Sequence, residues 1–466
     1  MILLSVDYIE PRIEVIEDES TPPVKLVSSD VIGVVGTFEK GPLNQKSVIT
    51  SLESLTTVFG KDKYGLTGCK SIWPAMAQGA KNFVVVRIAG AGIKEASIIL
   101  QDNASKDSII VKALTPGTWG NDILVAITAG TNEDTFKLVV IYNSKTETFD
   151  NLTLTNIGTA KSEFVALSIA EGAAAIPKAI SALPLTGGND GAAATDSDYI
   201  GTAIDGKRTG LKLLETAKVN LVICAQQYSD TVRNALITHA ANLSVRDGLR
   251  TSILNPAPSL TIEDVCSLTA TLDTPRAEIS YPWNEYYEIP GEFIAPDGFY
   301  AGILASGGAH ESPSNRVVKG ILSQETELSS GDIKALTKAR ISPISLDYGY
   351  RIMNGVNLST DSNWSQISIR REFDEIEAEI YESTRWVKSK NITKSIMQSV
   401  AEQIDALLQI EKDASKIYDF KPTVCDETIN TPETIAARML KTKIRIRPVF
   451  AADYIDHHIE RYLGEE

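Results

Sequence analysis

Short apolar runs separated by helical stretches organise the middle of the chain. Val31-Ile-Gly-Val-Val-Gly36 is one such run. Phe83-Val-Val-Val-Arg87-Ile88, Val219-Asn-Leu-Val-Ile-Cys-Ala225 and Thr251-Ser-Ile-Leu254 repeat it. Strands this apolar are covered on both faces, as in parallel sheets. Helices are expected from Cys69 to Ala80 and from Thr231 to Leu243, and Thr261 with Asp264 reads as a capping box opening another. The alternation predicts an α/β core, a mostly parallel sheet with flanking helices.

The pattern changes between Ile93 and Leu185, where Thr, Val, Asn and Gly dominate and runs such as Ile123–Ile127 and Phe136–Ile141 are separated by polar turns. This predicts an inserted β-rich domain, expected on the outside where insertions do not disturb packing. Farther on, Ile392, Ile396, Val400, Ile404 and Leu408 recur every four residues, with Asn391 as the expected N-cap of a long amphipathic helix.

Both ends of the chain read as strands. Val6 and Tyr8 share one alternation, Ile13 and Val15 the other after Pro11, among acidic residues that include Glu10 and Glu14. At the other end Lys443, Ile444, Arg445, Ile446 and Arg447 alternate basic and apolar, followed by Val449. The breaks divide the chain into an N-terminal arm (1–23), an α/β body (24–92 with 190–320), the insert (93–189), a C-terminal α/β domain (321–440) and a C-terminal arm (441–466).

Charge narrows the function. The net charge of −15 argues against a general nucleic-acid binder, which needs a basic face. Four cysteines far apart, with no CxxC, suggest neither a zinc knuckle nor a disulfide framework, and a reducing cytoplasm fits them. No apolar run reaches the length of a membrane span, and the N-terminus does not read as a secretion signal.

Catalytic patterns fail one by one. Gly36 and Gly41 have phosphate-loop spacing, but Pro42 stands where lysine is required. Counted from Asp196, a calcium loop would place Ile200 and Lys207 at ligand positions. His239, His310, His457 and His458 sit in no nucleophile or metal motif. The expectation is a protein that is not an enzyme and carries no cofactor or metal.

Several phrases together resemble the sheath subunits of contractile phage tails and related injection systems. Pro116-Gly117-Thr-Trp119-Gly120-Asn121 is similar to that family's Gly-x-Trp-Gly-Asn turn. Val34-Val-Gly36-Thr37 with Lys40-Gly41-Pro42 resembles its opening strand and turn. Leu185-Thr-Gly187-Gly188-Asn-Asp190-Gly191 resembles the phrase returning from the insert. Leu346-Asp-Tyr-Gly349-Tyr350 through Trp364 to Arg370-Arg371-x-Phe373-Asp374 resembles the C-terminal core. Met353-Asn-Gly355-Val-Asn357 departs from the family, which often has Trp-Gly-Ala-Arg-Thr there.

The resemblance implies a helical homopolymer of stacked six-subunit rings in a virion tail, assembled in the host cytoplasm around an inner tube protein, with baseplate and tail terminator proteins as further partners. It implies a metastable extended state that contracts to drive the tube through a cell envelope. Each terminal strand taken alone reads as a solvated edge or a frayed end. Together they suggest strand addition between subunits, with Arg445 and Arg447 opposite Glu10 or Glu14 of a neighbour. Arg370, Arg371, Lys388, Lys390 and Lys394 form a basic cluster that would face the tube, or else a solvated helix face. A tailocin or extracellular injection device, and from another class a surface adhesin, are the alternatives.

Overall fold

The computed structural model describes residues 28, 30–63 and 65–461. They fall into two compact units, one of residues 28–378 with 450–461 and one of Glu379–Val449. The N-terminal arm residues, Val6 to Val15 among them, lie outside the described residues.

The large unit is built on a mixed eight-stranded sheet. Its order is Lys46–Ile49, Asn82–Arg87, Val31–Gly36, Leu221–Cys224, Thr251–Leu254, Ala277–Tyr281, Ser342–Leu346, Tyr350–Ile352. The inner strands run parallel and the two edge strands antiparallel. Successive side chains leave opposite faces. Ile32, Val34, Phe83, Val85, Leu221 and Ile223 enter one core, and Val35, Val86, Val222 and Cys224 the other. Burial on both faces is what the near-continuous apolar runs require.

Helices Gly68–Ala77 and Asp297–Ser306 pack together over the first face. Glycine makes the approach possible. A Cβ on Gly302 would stand 2.6 Å from Ala75 Cα, and one on Gly298 would stand 2.1 Å from Ser71 O. On the second face Asp230–Ala241 packs against the Leu221–Cys224 and Thr251–Leu254 strands. Ser229 caps it, accepting from Val232 N at 3.2 Å.

The insert is β-rich. One sheet orders Ile180–Pro184, Leu124–Ala129, Phe136–Tyr142 and Lys145–Leu152, and a second orders Ser97–Gln101, Asp107–Ala113 and Val165–Ile169. Alternate residues of both, such as Ile109, Val111, Val125, Ile127, Leu138 and Val140, share one core.

Two boundaries differ from the sequence reading. Ser342–Leu346 pairs in parallel with Ala277–Tyr281, so 321–378 continues the large unit and the second unit begins at Glu379. The long helix spans Lys394–Asp413 and is capped by Thr393, whose hydroxyl accepts from Ile396 N at 3.2 Å. Asn391 and Ile392 precede it. Its buried stripe is Met397, Val400, Ile404, Leu407 and Leu408. Among the described residues no helix is long and apolar enough to cross a membrane.

Candidate assembly sites

The Pro116–Asn121 phrase closes the base of the insert. Thr118–Asp122 is a 3₁₀ turn entered through Gly117 at φ 137°, a backbone region open to glycine and strained for other residues. Trp119 is buried and its Nε1 donates to Thr115 O at 3.1 Å. Gly120 leaves no room for a side chain, since a Cβ would lie 2.9 Å from those of Ala96 and Ala113. Asn121 Nδ2 donates to Gly188 O at 3.0 Å, and Gly188 N donates to Asn121 Oδ1 at 2.9 Å. Asp190 accepts from Thr118 N at 2.7 Å and from Thr118 Oγ1 at 2.6 Å. Beside them Lys94 and Asn189 exchange backbone hydrogen bonds of 2.9 and 3.1 Å. The turn therefore fastens the outgoing strand to the returning one.

The loop around Lys40 is tied to the same place. Gly41 N donates to Thr115 Oγ1 at 3.1 Å. Arg87, buried, donates to Phe38 O at 3.1 Å and Gly41 O at 2.7 Å. Lys40 Nζ stands 5.6 Å from the Trp119 ring centroid and 5.2 Å from that of Tyr142. Burial lowers the Lys40 pKa. Sequence reading identified the turn and the loop separately; their meeting depends on tertiary packing.

In the small unit, Lys443–Pro448 is not a free arm. It pairs antiparallel with Ile417–Val424, with Asp419 opposite Arg447 and Phe420 opposite Ile446. Lys443, Arg445 and Arg447 are exposed, Ile444 and Ile446 half-buried, and Val449 exposed. Arg447 lies 4.0 Å above the Tyr418 ring. The helix Lys394–Asp413 backs the hairpin, and Asp405 Oδ1 accepts from Thr423 N at 2.8 Å. Asn430, buried in the connection, donates to Lys441 O at 3.0 Å and accepts from Lys441 N at 2.7 Å. Among the described residues the sheet has only these two strands, so each keeps one open edge.

The expected basic cluster is not one surface. Arg370 and Arg371 are buried in the large unit. Arg370 Nε donates to Asp374 Oδ1 at 2.9 Å, its Nη2 donates to Glu377 Oε1 at 2.8 Å, and the guanidinium sits 4.6 Å from the Trp364 centroid. Arg371 lies among Glu278, Glu375 and Tyr300, and burial lowers its pKa. The cause is helix geometry: within Ile367–Thr384 an acid four residues on shares a face with Arg370. Lys388, Lys390 and Lys394 are exposed in the small unit, and Lys394 pairs with Glu427 at 3.1 Å.

Asp297 and Glu278 are among the buried acids that escaped the sequence reading. Asp297 accepts from Ser71 Oγ at 2.7 Å, Gln226 N at 2.9 Å, Asn255 Nδ2 at 2.9 Å and Gly298 N at 2.6 Å, while burial pushes its carboxyl up. Glu278, in mid-strand, is pushed up to about 8 by burial, with Tyr300 and Arg371 acting against the shift. The signal was a lone acid inside an apolar run. Among the described residues no three His, Cys, Asp or Glu gather as a metal site.

Residues 359–460 match the family model described as the phage tail sheath C-terminal domain. That segment is similar to a phage tail sheath C-terminal domain. The chain is also similar to a prophage major tail sheath protein of Pseudomonas aeruginosa strain UCBPP-PA14, 26% identical over 284 residues covering 56% of this chain and 71% of that protein. The sheath likeness extends to solved structures. The sheath tail protein of Listeria innocua matches with TM-score 0.69 and 14% identity, over 92% of this chain and 94% of its own. That of Desulfitobacterium hafniense matches with TM-score 0.65 and 15% identity, over 89% and 94%. The contracted PVC sheath complex of an extracellular contractile injection system matches with TM-score 0.60 and 15% identity, over 97% and 98%. The multi-domain mixed-sheet fold described above is thus that of sheath proteins.

Proposed function

We propose that the chain is a structural subunit of a contractile tail sheath, polymerising helically around an inner tube and contracting to drive that tube through a target envelope. The observation that carries the reading is the tail sheath C-terminal domain at 359–460, joined to a prophage sheath relative over most of that relative's length. A large fold built from strand, turn and buried-acid frameworks fits a structural part and not a catalyst.

Assembly in this reading uses the C-terminal hairpin. Its open edges can accept a strand from the N-terminal arm of another copy, with Val6, Tyr8, Ile13 and Val15 alternating in the added strand. Each net hydrogen bond contributes about 1 kcal/mol, so a five-residue strand is held by roughly 5 kcal/mol. Arg445 and Arg447, exposed on one face, would pair with Glu10 or Glu14 and fix register. Because this contact is heterologous it propagates into rings or an open helix. Lys388 and Lys390 remain the cations available to an acidic tube surface. Baseplate and terminator proteins would cap the two ends of a virion tail assembled in the host cytoplasm.

Negative-stain microscopy of the purified chain tests the reading. Long regular cylinders are expected from the full chain and none from a chain lacking 1–23, a deletion that leaves the Ile417–Val424 and Lys443–Pro448 hairpin whole. The PVC likeness favours an extracellular injection device as the second reading. Neighbouring genes separate the two, since capsid and packaging genes accompany a phage.

A further inference from the structure

A cleft of about 520 Å³ opens where the α/β body meets the insert. Lys40 and Thr57 line it from the body, and Asn143, Ser144, Lys145 and Glu163 from the insert. Asn143 and Ser144 form the turn between Phe136–Tyr142 and Lys145–Leu152, so one rim of the cleft is a hairpin tip.

Lys40 stands in this cleft without an anion. Its side chain is half-buried, with the ammonium held near the Trp119 and Tyr142 rings. Among the described residues that ammonium makes no hydrogen bond or ion pair, yet it is not closed off from solvent. Both carboxylates nearest in charge are engaged elsewhere. Glu39 pairs with Lys63 at 2.8 Å and accepts from Lys61 N at 2.8 Å, and Glu163 pairs with Lys145 at 3.4 Å. Half-burying a cation costs free energy that ring faces offset only in part. A carboxylate set against Lys40 would offset the rest, because an opposite charge at contact favours the charged amine.

The lining also limits what carries that carboxylate. Two lysines against one glutamate leave a single positive charge, which suits a monoanion better than a doubly charged phosphate. The space exceeds what a bare ion fills. The hydroxyls of Thr57 and Ser144 are without hydrogen-bond partners among the described residues, and a hydroxyl both donates and accepts. A guest rich in hydroxyls matches such walls. We propose that the cleft binds a saccharide bearing one carboxylate, the carboxylate against Lys40 and the ring hydroxyls against Thr57, Asn143 and Ser144. The site belongs to the single chain and does not rest on the polymerising reading.

Calorimetry on the full-length chain tests this with methyl glucuronide, methyl glucoside, acetate and inorganic phosphate. Saturable binding of the glucuronide is expected, with the glucoside and acetate each about tenfold weaker, since each lacks one half of the recognition. Glucoside binding equal to glucuronide overturns the role of the carboxylate. Acetate or phosphate binding as tightly as the glucuronide overturns the saccharide, and no binding of any probe overturns the site. Lys40→Met keeps the apolar stem and removes the charge, and it should weaken the glucuronide about tenfold. Unchanged affinity in that variant would remove Lys40 from the site. The parent chain locates the ligand without a substitution. Methyl glucuronide at about ten times its Kd should slow acetylation of Lys40 by an N-hydroxysuccinimide ester about tenfold, because about a tenth of the sites stay empty. Lys207, exposed elsewhere, should label at its usual rate. Equal labelling of Lys40 with and without the glucuronide would place the ligand outside the cleft.

Discussion

Asn121 and Gly188 bind each other twice, the side-chain amide of one standing in for a backbone partner of the other. The pair joins the turn that enters the insert to the segment that leaves it. Asn121→Ala removes both bonds and strands the Gly188 backbone groups. The expected cost is about 2 kcal/mol. It would appear as a lower unfolding temperature and as faster proteolysis between 93 and 189, with the parallel sheet still intact by circular dichroism.

Asn430 performs the same service for the hairpin, holding both backbone groups of Lys441. Asn430→Ala should free the approach to Lys443–Pro448. Amide exchange in that strand is expected to quicken at least tenfold, while exchange in Val31–Gly36 stays as it was. Equal exchange in both strands would remove Asn430 from this role.

Arg370→Ala and Lys388→Glu with Lys390→Glu should behave in opposite ways. The first strips a buried guanidinium from Asp374 and Glu377, at a cost of about 3 kcal/mol, softened because Arg276 also bonds Asp374 at 2.8 Å. The lysines are exposed, so reversing them should leave the unfolding temperature nearly unchanged. If they grip the tube, co-assembly should weaken and its salt dependence flatten. Thermal melts and co-sedimentation at two salt concentrations read both outcomes.

Glu278 gives stability a pH dependence of known sign. Its carboxyl holds its proton up to about 8 in the folded chain, whereas the unfolded chain releases it near 4.5. Between those values the unfolded state binds fewer protons, so stability falls as pH rises. Glu278→Gln, which stays neutral, should flatten that slope. Denaturant unfolding at pH 5 and pH 8 would show a smaller difference for the variant than for the parent chain.

The parallel sheet was legible because burial on both faces demands runs such as Val31–Gly36, whose shortness and β-branched content separate them from buried helix segments. The insert was legible for the converse reason, a switch to alternation and polar turns. The pairing of Lys443–Pro448 was not, because basic–apolar alternation marks one wet face and is silent on which strand lies alongside. Arg370 and Arg371 misled for a related reason. Two adjacent cations look like surface until the acids that meet them through helix geometry and tertiary contact are known. Thr393 caps the helix in place of Asn391 although asparagine is the better cap by type, because both residue types serve and propensity alone does not fix where the helix begins.

The paired backbone of Lys94 and Asn189 brings the two ends of a ninety-odd-residue excursion side by side. A gap that narrow can be bridged by a tight turn as readily as by a domain. The inserted module is therefore exchangeable cargo. Lineages could discard it, enlarge it or trade it without re-registering a single strand beneath, and a fluorescent protein or affinity tag could be grafted at the same socket.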